Sequence, residues 1–110
     1  MTRMNANQAA SLLEKWIVFL DMDNPKAWDR DEYSYIKDSC KMIRSSVSLL
    51  RGKNPGKGPS RTELATLLDE FIEEIALDDP AEWEKENAAF VKEVLEAAQF
   101  TVTFLRQKKA

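Results

Sequence analysis

A chain of 110 residues, 44% hydrophobic and 32% charged, is long enough to bury one core, but its longest unbroken apolar run, Trp16–Leu20, is too short to span a membrane. It contains no histidine, which removes the commonest general base, the usual nitrogen ligand for metals and every Ser-His or Cys-His dyad. Net charge is −3, and 12 of the 19 acids fall in residues 61–110, which argues against duplex nucleic acid as a partner, because phosphate binding needs clustered cations.

In chain order, Met1–Asn5 lacks the apolar core of a signal peptide, and the single Cys40 has no internal disulfide partner. Together these predict a reducing, cytoplasmic setting. The first helix opens on a capping box, Asn5 with Gln8 three residues on. A turn follows at Asp21–Pro25. Asn24 suits an N-cap and Pro25 the first helical position, which needs no N–H. A long helix is predicted over 25–51, about 40 Å at 1.5 Å per residue. Ile36, Cys40, Ile43, Val47 and Leu50 give it a seam spaced for packing against a neighbouring helix. Trp28, Tyr35, Met42 and Leu49 form a second stripe beside that seam.

Gly52–Pro59 reads as a linker. It holds all three glycines and two of the four prolines. Ser60 and Glu63 then repeat the capping box, Ala76–Pro80 repeats the turn, and a second long helix is predicted over 80–107. Val91, Leu95, Ala98, Val102 and Leu105 repeat the seam.

The recurrence is direct. Shifted by 55 positions, residues 10–51 fall on 65–106 without a gap and with 11 identities in 42 positions, Pro25/Pro80, Trp28/Trp83 and Arg51/Arg106 among them. The predicted architecture is therefore all-α: a single domain over 1–110, built as a pseudo-two-fold four-helix bundle of two duplicated helical hairpins. The hairpins cover about 5–51 and 60–107, joined by linker 52–59, and the interface between them should be nearly self-complementary.

Few residues suggest chemistry. The linker's glycines and lysines do not match G-x-x-x-x-G-K-[ST], and no strand precedes them. Glu70-x-x-Glu73 and Glu93-x-x-Glu96 resemble the paired carboxylates with which all-α nucleotide pyrophosphohydrolases hold Mg²⁺. At about 100° per residue, however, Glu93 and Glu96 fall opposite Val91 and Leu95, and Glu70 and Glu73 lie far round from Leu68 and Phe71. Those pairs read as a solvated face. No metal or cofactor is expected. Cys40 aligns with Leu95 on the seam and reads as an inert, buried thiol.

Trp28 and Trp83 read as structural anchors of the turns. As an alternative, they would stack a small anionic ligand or nucleotide, helped by Lys53, Lys57 and Arg61. The departures between the repeats point elsewhere. Val18 and Phe19 stand where the second repeat has Glu73 and Glu74, and the helix geometry turns Val18 outward. That predicts an apolar patch for a partner or a second copy of the chain. Asp69, Glu70, Glu73 and Glu74 give the third helix an acidic outer face suited to a basic partner. The favoured expectation is a non-enzymatic interaction protein of the adaptor, inhibitor or immunity type. A phage-type inhibitor of a host nucleic-acid-binding enzyme has this size and acidity.

Overall fold

The computed structural model describes residues 4–53 and 58–107. Four α-helices make the fold: α1 (Ala6–Phe19), α2 (Arg30–Leu50), α3 (Arg61–Glu74) and α4 (Ala88–Arg106). Among the described residues there is no strand, and no helix is long and apolar enough to cross a membrane.

Both short helices start as the sequence predicts. Asn5 Oδ1 accepts the Gln8 N–H at 2.9 Å while Gln8 Oε1 accepts the Asn5 N–H at 3.1 Å. At the head of α3, Ser60 Oγ accepts the Glu63 N–H at 3.2 Å and Glu63 accepts the Ser60 N–H at 3.0 Å. The Ser60 N–H, and then its hydroxyl, hold the Glu63 carboxyl below its usual range. This ionisation favours the folded state above the ordinary carboxylate pKa, and its support is lost as pH falls through the lowered value.

The short helices also end alike. Asp21 (φ 53) and Ala76 (φ 56) take the left-handed conformation. Met22 N–H donates to the Ile17 carbonyl at 3.0 Å and Asp21 N–H to that of Val18 at 3.1 Å; Leu77 and Ala76 do the same to Ile72 and Glu73 at 2.9 and 3.1 Å. This paired reverse bonding satisfies the last carbonyls and turns Met22 and Leu77 inward, where both are buried.

The long helices begin later than expected. Pro25 and Pro80 open short 3-10 turns, Pro25–Ala27 and Pro80–Glu82, rather than α2 and α4. Asn24 Oδ1 and Asp79 Oδ1 accept the N–H of Lys26 and Ala81, each at 3.1 Å. The reason lies in the tryptophans. The Trp28 indole N–H donates back to the Asp21 carbonyl at 3.0 Å, and that of Trp83 to the Ala76 carbonyl at 2.8 Å. Trp28 is extended at φ −130, ψ 151, so the helix restarts beyond it at Arg30. A further 3-10 turn, Lys85–Asn87, delays α4 to Ala88. At 21 and 19 residues, α2 and α4 are each about 30 Å long.

The predicted seams form the core. Ile36, Cys40, Ile43, Val47 and Leu50 are buried, as are Val91, Ala98, Val102 and Leu105, whereas Leu95 of the second seam is only half-buried. Ser46 and Thr101 are buried too, which the apolar pattern did not foresee. Their hydroxyls donate to the carbonyls one turn back, Met42 at 3.0 Å and Ala97 at 2.7 Å, so neither is left unpaired.

α1 and α3 each pack against both α2 and α4, and α2 also touches α4. Each long helix divides its length between partners. At the C-terminal end of α2, Arg51 pairs with Glu14 of α1 at 2.7 Å. At its N-terminal end the Tyr35 ring stacks near Phe71 of α3, centroids 6.5 Å apart. Likewise Arg106 pairs with Asp69 of α3 at 3.2 Å, while Phe90 meets Trp16 of α1 at 6.0 Å. Each long helix is thus shared between the two short ones. Both ion pairs are partly solvated and are each worth at most about 1 kcal/mol.

Candidate functional site

Positions 19 and 74, aligned by the 55-residue offset in sequence, act differently. Phe19 closes one side of the fold. Its ring stacks on Trp16 at 5.3 Å and meets Phe90 edge-on at 5.3 Å, while Trp16 meets Trp83 edge-on at 5.2 Å. This aromatic knot seals the end of the α1/α4 contact. On the other side, Glu74 and Tyr35 line the α2/α3 contact together, and among the described residues only Phe71 stacks on Tyr35.

The result is an open groove between α2 and α3. It holds about 250 Å³ and is lined by Tyr35, Asp38, Ser39 and Met42 from α2 and Leu67, Glu70 and Glu74 from α3. Met42 and Ser39 are buried, whereas Tyr35 and Leu67 remain 40% and 43% exposed. No ion pair among the described residues involves Asp38, Glu70 or Glu74. Burial raises the Tyr35 phenol above its usual pKa, with Glu74 and Glu70 adding to the rise against a hydrogen bond from Ser39. The groove thus offers an apolar floor under an excess of negative charge.

The sequence-predicted residues separate. Glu70 and Glu74 line the groove. Asp69 is engaged by Arg106 at 3.2 Å, and Glu73 is exposed without lining the groove. Val18 is 72% exposed, at the edge of a shallow depression shared with Ile17, Val47 and Arg44. Phe19 beside it is 40% exposed, with its ring also held against Trp16 and Phe90.

The tryptophans and the linker cations do not meet. Trp28 and Trp83 sit at the turns between short and long helices, with their indole N–H groups committed to backbone carbonyls. Arg61 sits at the start of α3, the other end of a 14-residue helix about 20 Å long. There it bonds the Phe104 carbonyl at 2.6 Å and that of Leu105 at 3.4 Å. Lys53 is exposed after α2, and Lys57 lies outside the described residues.

The two carboxylate pairs also part. Glu93 and Glu96 line a broad, open depression with Lys15 between α1 and α4, whereas Glu70 faces α2. No group of three or more metal-binding side chains comes together among the described residues. Cys40 is buried, and that burial pushes its thiol pKa up, with nearby Arg44 acting in the opposite direction. It fits the core role expected of it.

No family model, curated protein or solved structure compared with this chain matches it.

Tyr35, Leu67 and Asp38 complete the groove and were not singled out from sequence as site residues. Leu67 aligns with Leu12, so it reads as core; only the position of α3 against α2 shows it standing at an edge. The signal available was the Phe19/Glu74 departure, which marks where the second contact lacks a plug.

Proposed function

We propose that this is a non-enzymatic protein–protein interaction module of the adaptor or inhibitor type, and that it captures a basic, amphipathic segment of a partner in the α2/α3 groove. The observation that carries this reading is the pairing of exposed Tyr35 and Leu67 with the carboxylates of Asp38, Glu70 and Glu74, which form no ion pair among the described residues. Apolar side chains of the segment supply affinity by burying Leu67 and the Tyr35 ring. Its cations pair with the rim, steer the encounter and select against acidic partners. A cytoplasmic setting belongs to the same proposal, supported by a lone buried cysteine.

The test is charge reversal at exposed positions. A synthetic helix bearing leucine on one face and lysine on the other should bind the protein, and added salt should weaken it. Glu70→Lys with Glu74→Lys should lower that affinity at least tenfold while leaving the circular dichroism spectrum unchanged. Equal binding to the reversed variant would overturn the proposal.

Self-association through α1 is a second reading, favoured by the 72% exposure of Val18 beside Ile17 and Val47. Val18→Glu, which copies Glu73, separates the two. It should dissolve any dimer seen by light scattering and leave peptide binding intact.

A further inference from the structure

A second pocket stands apart from the groove, beside Trp83. It holds about 320 Å³, and Leu77, Trp83, Val91 and Leu95 form its apolar wall. Exposed Asp78 and Lys92 stand at its rim, and Ala88 completes an almost wholly apolar lining. An apolar cavity of about 150 Å³ is enough to hold a benzene ring, so the space suffices for one substituted ring.

The aligned positions of the first unit differ in character from this lining at one residue. Fifty-five positions earlier the wall residues are Met22, Trp28, Ile36 and Cys40, and the polar pair is Asp23 and Lys37. Each of these keeps the character of its counterpart. Ala88 does not, because its counterpart is Tyr33. Tyr33 is packed against the core, on the face of α2 that also carries Ile36, Lys37 and Cys40 by helical spacing. In the second unit the wall is retained and the ring is missing. The backbone change accompanies it: α2 is already helical from Arg30, while the matching stretch Lys85–Asn87 is a 3-10 turn.

We propose that the pocket beside Trp83 binds a single phenolic ring, the group that the first unit carries as Tyr33 at the sequence position of Ala88. The ring packs against the Trp83 indole in an offset or edge-on arrangement. Its hydroxyl lies toward the solvent-exposed rim, where the Asp78 carboxylate can accept from it and the Lys92 ammonium can donate to it. The same chemistry reaches the pocket either as a free phenol or as a tyrosine presented by another protein.

The experiment uses p-cresol, which is the tyrosine side chain by itself, and follows the Trp83 indole N–H by ¹H–¹⁵N NMR. The expected result is a saturable shift of that signal and a higher melting temperature in its presence. Ala88→Tyr should fill the pocket, raise the melting temperature without ligand and weaken p-cresol binding at least tenfold. Ala88→Met, a smaller plug, gives the same reading if the tyrosine variant folds poorly. N-acetyl-tyrosinamide distinguishes the sources: binding tighter than p-cresol supports a presented tyrosine, and weaker binding supports a free phenol. No saturable shift at Trp83, or undiminished binding in both filled variants, would overturn the proposal.

Discussion

Trp16→Ala should cost about 3–5 kcal/mol of stability, whereas Trp16→Phe should stay within about 1 kcal/mol of wild type. Trp16 is fully buried and touches three other rings, Phe19, Trp83 and Phe90. It ties α1 to Phe90 of α4 and to Trp83 in the turn before that helix. Truncation removes that packing and leaves a cavity that the surrounding rings cannot close. Yet its indole nitrogen is buried without a hydrogen-bond partner. Leaving such a donor unpaired costs about 1–3 kcal/mol. Phenylalanine removes the donor and keeps most of the ring, and it is the residue the second unit uses at the matching position, Phe71. The loss of packing and the relief of the orphaned N–H should nearly cancel. Urea unfolding followed by circular dichroism checks both variants. A phenylalanine variant as unstable as the alanine one would show that the indole N–H is engaged, for example with a ring face.

Arg61→Ala should cost about 1–2 kcal/mol, and Arg61→Lys should recover less than half of that. Arg61 opens α3 but serves the end of α4. Its guanidinium donates to the carbonyls of Phe104 and Leu105 at 2.6 and 3.4 Å, and lies 4.8 Å from the Phe104 ring centroid. Those carbonyls belong to the last turn of a helix, where intrahelical donors run out and positive charge is favoured. Lysine restores the charge but not the planar fork that bonds two carbonyls while stacking on a ring. The first unit has Ala6 at the matching position, so this tie is particular to the second. Thermal unfolding together with amide exchange in α4 reads the effect; fraying confined to residues near Phe104 is the expected pattern.

Much of the fold was legible because strong local signals agreed. The capping boxes at Asn5 and Ser60, the turns before Pro25 and Pro80 and the seams from Ile36 and Val91 all point to four helices. The helix starts were misread because Pro25 and Pro80 suit the first position of any helix, including a 3-10 turn. Only the indole bonds of Trp28 and Trp83 to residues seven positions earlier decide which kind forms. Ser46 and Thr101 were invisible as core because hydropathy scores their hydroxyls and not the i−4 carbonyls that satisfy them.

The candidate site was half legible. Glu70 and Glu74 stand out in the sequence as charge, and the Phe19/Glu74 departure falls at the edge of the groove. Sequence periodicity treats Leu67 as the equal of Leu12 and cannot show that each long helix shares itself between two short ones. That division of α2 between α1 and α3 is what leaves Tyr35 and Leu67 facing each other across open space.

The proposal that this groove receives a basic segment is best tested by ¹H–¹⁵N NMR titration of the protein with the leucine–lysine helix. Shifts concentrated at residues 35–42 and 67–74, weakening as salt rises, are the predicted result. Shifts centred on α1 around Val18, or no saturable shift at low salt, would contradict it.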